Sequence, residues 1–244
     1  VILEIAANSV ASALAAQDGG AGRVELCTAL ELGGLTPSHA QIALAREHLH
    51  IPLYVLIRPR AGDFLYSDLE CETMLRDIEA CSAFGCDGVV LGVLDTNGEV
   101  DMPRCRSLMF AVGNMGVTFH RAFDLTRNPL SSLSDLIELG CERVLTSGAQ
   151  PSAIEGAELI RQLVELSAGR IVVMPGAGVD AGNIGKLRQI TGTSEFHASA
   201  KRQHPSGMQR QPPLLKDMQD GELRSDIEQI RDIVAALNAA AASA

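Results

Sequence analysis

Residues 116–124 read Gly-Val-Thr-Phe-His-Arg-Ala-Phe-Asp, a strand-type apolar run ending abruptly in an imidazole, a guanidinium and a carboxylate. His120 titrates near neutrality unless its surroundings shift it, which suits it to proton transfer. Arg121 supplies a fixed positive charge, and Asp124 either orients His120 or caps the following turn. In parallel α/β proteins, chemistry is gathered where strands end and loops begin. Other strand-like segments repeat the pattern. Alternation puts Glu25 and Cys27 on one face of a second strand, Thr118 and His120 on one face of the fifth, and Glu195, His197 and Ser199 on one face of the last. Arg58 directly follows a third strand, with Arg60 two residues on, and Glu4 lies inside the first. Arginines of this kind recognise carboxylate or phosphate through paired donors. Each residue also has a purely structural reading. A strand histidine can be a hydrogen-bonding core residue, and either arginine can pair with Glu25 or Asp63. Five strands contributing polar groups to one end nevertheless point to a site, because strands covered on both faces exclude charge without a reason.

A second group of residues fits an anion. Gly176 and Gly178 lie in a Gly-rich turn running into a helix, Ser199 closes the neighbouring strand, and Ser147-Gly148 follow the sixth. Loops after the seventh and eighth strands of a barrel commonly present backbone N–H groups to phosphate. Glycines in such turns also occur for steric reasons alone.

These residues need a scaffold, and the chain supplies a regular one. Eight strand-like segments open at about Ile2, Arg23, Leu53, Gly88, Gly116, Arg143, Ile171 and Glu195, each followed by a helix-like segment. Strict alternation of this kind predicts parallel strands with right-handed crossovers. Eight units in 244 residues match the usual size of a (β/α)8 TIM-type barrel, expected here as a single α/β domain over residues 1–244. A doubly wound open sheet is the alternative, but Ala7-Asn8-Ser9 stands where its glycine fingerprint belongs. The expected helices include Ala153 to Ser167, Asp180 to Ile190 and a C-terminal one over 225–238, the last preceded by a long polar loop over 200–224.

Composition narrows the partners. A net charge of −10 with 3% aromatic residues and no Trp argues against nucleic acid or an anionic membrane surface. No apolar run reaches the roughly 18 residues that span a bilayer. The first residues enter a strand with no basic, cleavable leader, so no signal peptide is expected. The six cysteines include no C-x-x-C pair, which leaves neither zinc spacing nor a disulfide framework and favours a reducing, cytoplasmic setting.

Taken together, Arg23-Val24-Glu25-Leu26-Cys27, Gly33-Gly34-Leu35-Thr36-Pro37-Ser38, Ile57-Arg58-Pro59-Arg60 with Gly62-Asp63-Phe64-Leu65-Tyr66-Ser67-Asp68, Val117 to Asp124, Arg143 to Gly148 and Pro175 to Val179 resemble the CutC family. The resemblance covers Leu3 to about Arg210. It implies a TIM-type barrel, cytoplasmic location, homo-oligomers and a proposed Cu(I)-binding role in copper homeostasis. Cu(I) prefers converging sulfur ligands. Cys27 can reach the mouth, but Ala6 stands where some relatives have a second cysteine.

Three functions follow: a copper-handling protein with Cys27 as metal ligand, an enzyme, or a catalytically silent scaffold. The enzyme would act on a small anionic or phosphorylated carbonyl or sugar-like compound. His120 or His197 would move the proton, Glu25 would be a second acid or base, and Arg58 with the 176–178 turn would hold the anion. Among the strand ends only Lys201 offers an amine for Schiff-base chemistry.

Overall fold

The computed structural model describes residues 1–210 and 221–242. Apart from two short 3-10 turns, strand and helix alternate: β1 (Ile2–Ala7), α1 (Val10–Asp18), β2 (Arg23–Leu26), α2 (His39–His48), β3 (Leu53–Leu56), α3 (Asp68–Ala83), β4 (Gly88–Leu91), α4 (Met102–Val112), β5 (Gly116–Phe119), α5 (Pro129–Leu139), β6 (Arg143–Thr146), α6 (Ala157–Ser167), β7 (Val172–Pro175), α7 (Ile184–Thr191) and β8 (Glu195–Ala198), closed by α8 (Ile227–Ala242) after a two-stranded hairpin. Local sequence chemistry sets these starts. Ser38 with Gln41 and Ser67 with Glu70 form capping boxes at α2 and α3, and Asn128 caps α5 with Pro129 in its first turn.

The eight strands form one parallel sheet in the order β7-β6-β5-β4-β3-β2-β1-β8. β7 and β8 meet at the ends of that order without a ladder among the described residues. Thr193 Oγ1 spans this seam by donating to the Val173 carbonyl at 2.6 Å. The result is a nearly closed TIM-type barrel, the predicted fold. Its main core lies between sheet and helices, around Ile5, Val24, Leu26, Ile57, Leu91, Phe119, Phe123 and Phe196.

The barrel interior is different. One side holds a small cluster of Cys27, Tyr54, Leu56 and Val90. The other side is ionic. Arg23 pairs with Glu4 through Nε and with Glu195 at 2.7 Å, and Arg143 reaches Glu195 at 3.1 Å and Thr118 Oγ1 at 3.3 Å. Both guanidinium groups lie over the Tyr54 ring, at 5.3 and 5.0 Å. Such interiors are usually filled by aliphatic side chains. Here the strand register supplies charge of both signs instead: Glu4 is the lateral partner of Arg23 on one side and of His197 on the other.

Three expectations need correction. The 200–224 loop contains an antiparallel hairpin, β9 (Lys201–His204) with β10 (Glu222–Ser225), tied to the first βα turn by Asn8 Nδ2 donating to Leu223 O at 2.6 Å. Pro212 and Pro213 of that loop lie outside the described residues. α6 starts at Ala157, not Ala153, because Gly148 and Gly156 pack backbone to backbone ahead of it; a Cβ on Gly148 would lie 2.3 Å from the Gly156 carbonyl oxygen. α7 starts at Ile184, because Asp180 Oδ1 accepts from Gly182 N and Asn183 N in a preceding turn.

Removing one partner of a buried ion pair strands the other charge, at about 3–5 kcal/mol. Arg23→Met is therefore expected to lower unfolding stability by about that amount, read from urea denaturation. An unchanged midpoint and slope would mean the network contributes nothing to stability.

Candidate functional site

The C-terminal ends of the strands open into a cavity of about 560 Å³. Glu25, Arg58, His120, Arg121, Asp124, His197, Gly178 and Ser199, predicted from the sequence, all line it. Phe64 and Lys201 join them. Backbone strain is concentrated here as well. Four of the five non-glycine residues with left-handed φ among the described residues, Ala29, Ala149, Ala177 and Ala200, follow β2, β6, β7 and β8 (φ 47°, 55°, 82° and 44°). Strained backbone of this kind clusters at functional sites.

At the base of the cavity His197 Nδ1 lies 2.7 Å from Glu4 Oε1. The contact follows from the register of β1 with β8, so one carboxylate orients the ring through Nδ1. Glu4 is fully buried. Burial alone would raise its carboxyl, but Arg23 and His197 outweigh that and hold it down at about 2. Glu25, one step further up β2, has no such arginine contact, and its Oε2 has no hydrogen-bond partner. Burial, reinforced by the charge of Glu4, pushes Glu25 up to about 7 despite His197 and Arg23. His197 is pulled down by burial, yet Glu25 and Glu4 more than offset this and raise it. Three groups with displaced proton affinities thus adjoin on β8, β1 and β2.

His120 behaves differently. Its Nδ1 accepts from Ala122 N–H at 3.1 Å, which assigns the proton of a neutral ring to Nε2. Burial, with the positive charge of Arg58 nearby, lowers it to about 3. Phe64 packs on the ring at 4.8 Å between centroids. Gly92 makes room for it, since a Cβ there would lie 2.5 Å from His120 Cε1. His120 is therefore a neutral hydrogen-bond donor, while His197 and Glu25 both hold a proton more firmly than usual.

Arg58 and Arg60 are committed to architecture. Arg58 donates to the carbonyls of Leu32, Gly34 and Gly62 at 2.8–2.9 Å and lies over the Phe64 ring. Arg60 pairs with Asp63 and Glu70 and does not line the cavity, so the packing alternative describes it. Arg121 donates to Asp124 and Ser147 Oγ at the cavity wall. Asp124 orients the β6 loop rather than His120, accepting from Ser147 N, Ser147 Oγ and Thr146 Oγ1.

The expected anion cradle is smaller than predicted. The N–H groups of Ser147, Gly148 and Gly176 already donate to Asp124, Thr146 Oγ1 and Thr146 O. Gly176 is needed for space: a Cβ there would lie 2.5 Å from Leu145 and 3.3 Å from His197 Cβ. Gly178 and Ser199 remain at the wall, beside Lys201 and Arg121.

The same geometry bears on metal ligation. Cys27 is fully buried among Leu30, Tyr54, Leu56 and Val90, and does not line the cavity. Burial, with Glu25 and Glu31 nearby, pushes its thiol well above the usual range. Cu(I) binding requires the thiolate and a second soft donor, so these surroundings do not fit it. Cys81 and Cys86 hydrogen-bond to one another, but at the turn between α3 and β4, at the opposite end of the barrel. Among the described residues, Glu4, Glu25 and His197 are the one group of three candidate donors with ligand atoms within 4.8 Å. The oxygens of Glu4 are already taken by Arg23 and His197, which makes the group a hydrogen-bonded unit.

An eight-stranded parallel barrel with titratable groups buried at its C-terminal mouth is the class these features define. The chain belongs to the CutC family, whose family model matches residues 1–202. It is 57% identical to a CutC-family protein of Xylella fastidiosa over 97% of this chain and 88% of the relative, and 55% identical to one of Xanthomonas campestris over 98% and 99%. The structure is similar to that of the CutC protein from Streptococcus agalactiae, named for copper homeostasis, with TM-score 0.78 and 35% identity over 81% of this chain and 97% of that one. Similarity to thiamine phosphate pyrophosphorylase from Pyrococcus furiosus, at 14% identity and TM-score 0.62 over 98% and 96%, shows the barrel fold alone. No described helix is long and apolar enough to cross a membrane.

Among Glu4, Phe64, Gly92 and Lys201, the sequence did not single out Gly92; the other three stood in it without these roles. Only strand register places Glu4 beside His197.

The displaced carboxyl has a measurable consequence. The folded-state pKa of Glu25 lies above its unfolded value of 4.5, so the unfolded chain loses this proton first. Stability then falls as pH rises from about 4.5 to about 7. Glu25→Gln is expected to be more stable than wild type at about pH 8, by on the order of 1–3 kcal/mol, with the gap closing near pH 4. His120 has the opposite displacement, and its ring is expected to stay neutral in ¹⁵N spectra from about pH 8 down to about pH 4.5.

Proposed function

We propose that the barrel mouth binds a small anionic metabolite, phosphorylated or similar, and moves a proton on it. The observation that carries this reading is the His197–Glu4 hydrogen bond at 2.7 Å beside the unpartnered Glu25, at the base of an open cavity. Glu4 fixes the ring, His197 and Glu25 exchange protons with the ligand, and Gly178, Ser199, Lys201 and Arg121 receive its charge. Inorganic phosphate and small phosphate monoesters are expected to raise the melting temperature by a few degrees at saturating concentration. Ser199→Ala with Lys201→Ala should remove that rise. For whichever compound turns over, His197→Gln should cost about 10²–10⁴ in rate while keeping the thermal shift. A wild-type protein indifferent to every anion in such a panel would sink the reading.

The copper association carried by the family's name is a separate reading, of Cu(I) handling by the protein. Cys27 offers one buried donor and no partner for it. Titration against a Cu(I) chelator is therefore expected to give the same binding for Cys27→Ser as for wild type. Loss of tight binding in that variant would restore Cys27 as a ligand. Cytoplasmic location and a homo-oligomeric state belong to the same proposal: five of the six free thiols are buried, as suits a reducing compartment.

A further inference from the structure

Five buried side-chain atoms among the described residues have no hydrogen-bond partner: Glu25 Oε2, Arg58 Nε, Tyr66 Oη, His120 Nε2 and His204 Nε2. Buried polar atoms are partnered in the great majority of cases, so each exception needs an account. Tyr66 Oη and the Arg58 guanidinium interact with one another. His204 is on β9 and does not line the cavity. The two that remain, a donor on His120 and a carboxylate oxygen on Glu25, both belong to cavity-lining residues. They belong to the residue that follows β5 and to β2, three strands apart in the barrel order.

The donor identity is fixed by geometry. With Nδ1 accepting from Ala122 N–H, the neutral ring offers Nε2–H and no second donor. Phe64 covers its face, keeping the N–H in a dry setting where a hydrogen bond to developing negative charge counts most. We infer that the ligand of the mouth is a phosphorylated carbonyl compound, whose carbonyl oxygen accepts from His120 Nε2–H while Glu25 takes a proton from the carbon beside it. This rests on the anion-binding reading above and specifies its substrate. In the step, the C–H bond breaks and its electron pair forms the C=C bond of an enolate. The carbonyl π pair moves onto the oxygen held by His120, and the proton resides on Glu25. Return of a solvent-derived proton to the same carbon restores the compound, so no oxidant or second reactant is needed.

Acetonyl phosphate and propyl phosphate share the anion and the carbon chain and differ in the carbonyl, with inorganic phosphate as the bare anion. By calorimetry, wild type is expected to bind acetonyl phosphate about tenfold or more tightly than propyl phosphate. In D₂O the protein should exchange the hydrogens beside the carbonyl, followed by ¹H NMR. His120→Asn keeps an acceptor for Ala122 N–H and should shrink the preference to within about twofold, with inorganic phosphate binding unchanged. Glu25→Gln should abolish exchange while acetonyl phosphate still binds. A readout independent of variants is the His120 Nε2 proton resonance, which should move on adding acetonyl phosphate to wild type. Equal binding of the two esters, or a stationary His120 resonance, overturns the inference and leaves anion binding standing. Failure of all three phosphates to bind overturns both.

Discussion

Burying charge inside a barrel is permissible only when each charge is answered, and in this protein Arg23 answers two carboxylates at once. Its Nε meets Glu4 and its terminal nitrogen meets Glu195, which Arg143 also holds. Much of the site's chemistry follows from this arrangement. Because Arg23 secures Glu4 as an anion, Glu4 can orient His197. Because the network stops one residue short of Glu25, that carboxyl is left with burial as its dominant influence. Two glutamates on adjacent strands, so alike in sequence, end on opposite sides of the ordinary carboxyl value: Arg23 contacts Glu4 and outweighs its burial, but at Glu25 burial wins.

The two histidines divide in the same way. His197 has carboxylates for neighbours and holds its proton more firmly, whereas His120 has an arginine, an aromatic ring and a backbone N–H, and stays neutral. Residue type alone would make them interchangeable general bases. Their surroundings raise the proton affinity of one and leave the other a donor of fixed polarity, because environment pushes like titratable groups apart.

Most of the architecture was legible in the chain. Eight strand–helix units follow from period and capping: the Ser67–Glu70 and Ser38–Gln41 pairs stand where α3 and α2 begin. The cavity residues Glu25, His120, His197 and Ser199 were legible because alternation along a strand fixes the face on which each lies. What sequence reasoning missed depends on lateral contact. Nothing local marks Glu4 as the partner of His197, 193 positions away. Arg60 has the same local appearance as Arg58, yet Asp63 and Glu70 draw it out of the cavity. The glycines of the anion turn were read for their N–H groups, although Gly176 is required chiefly by the bulk of Leu145. The hairpin at β9 and β10 was unreadable from periodicity because its paired strands are four residues each, polar but for Leu223, and separated by seventeen residues.

The sheet order also bears on how the site comes into being. β8 is joined by ladder hydrogen bonds to β1 alone, across the full span of the chain, while the seam with β7 has none among the described residues. A chain emerging from the ribosome can lay down β1 through β7 by neighbour-to-neighbour pairing, yet Glu4 still lacks His197, and Arg23 lacks Glu195. Docking the last strand satisfies both in one event of long loop closure, the slow kind of contact in folding. The buried cluster is thus a mark of completion: a nascent or truncated barrel without β8 has neither the Glu4–His197 hydrogen bond nor the Arg23–Glu195 pair.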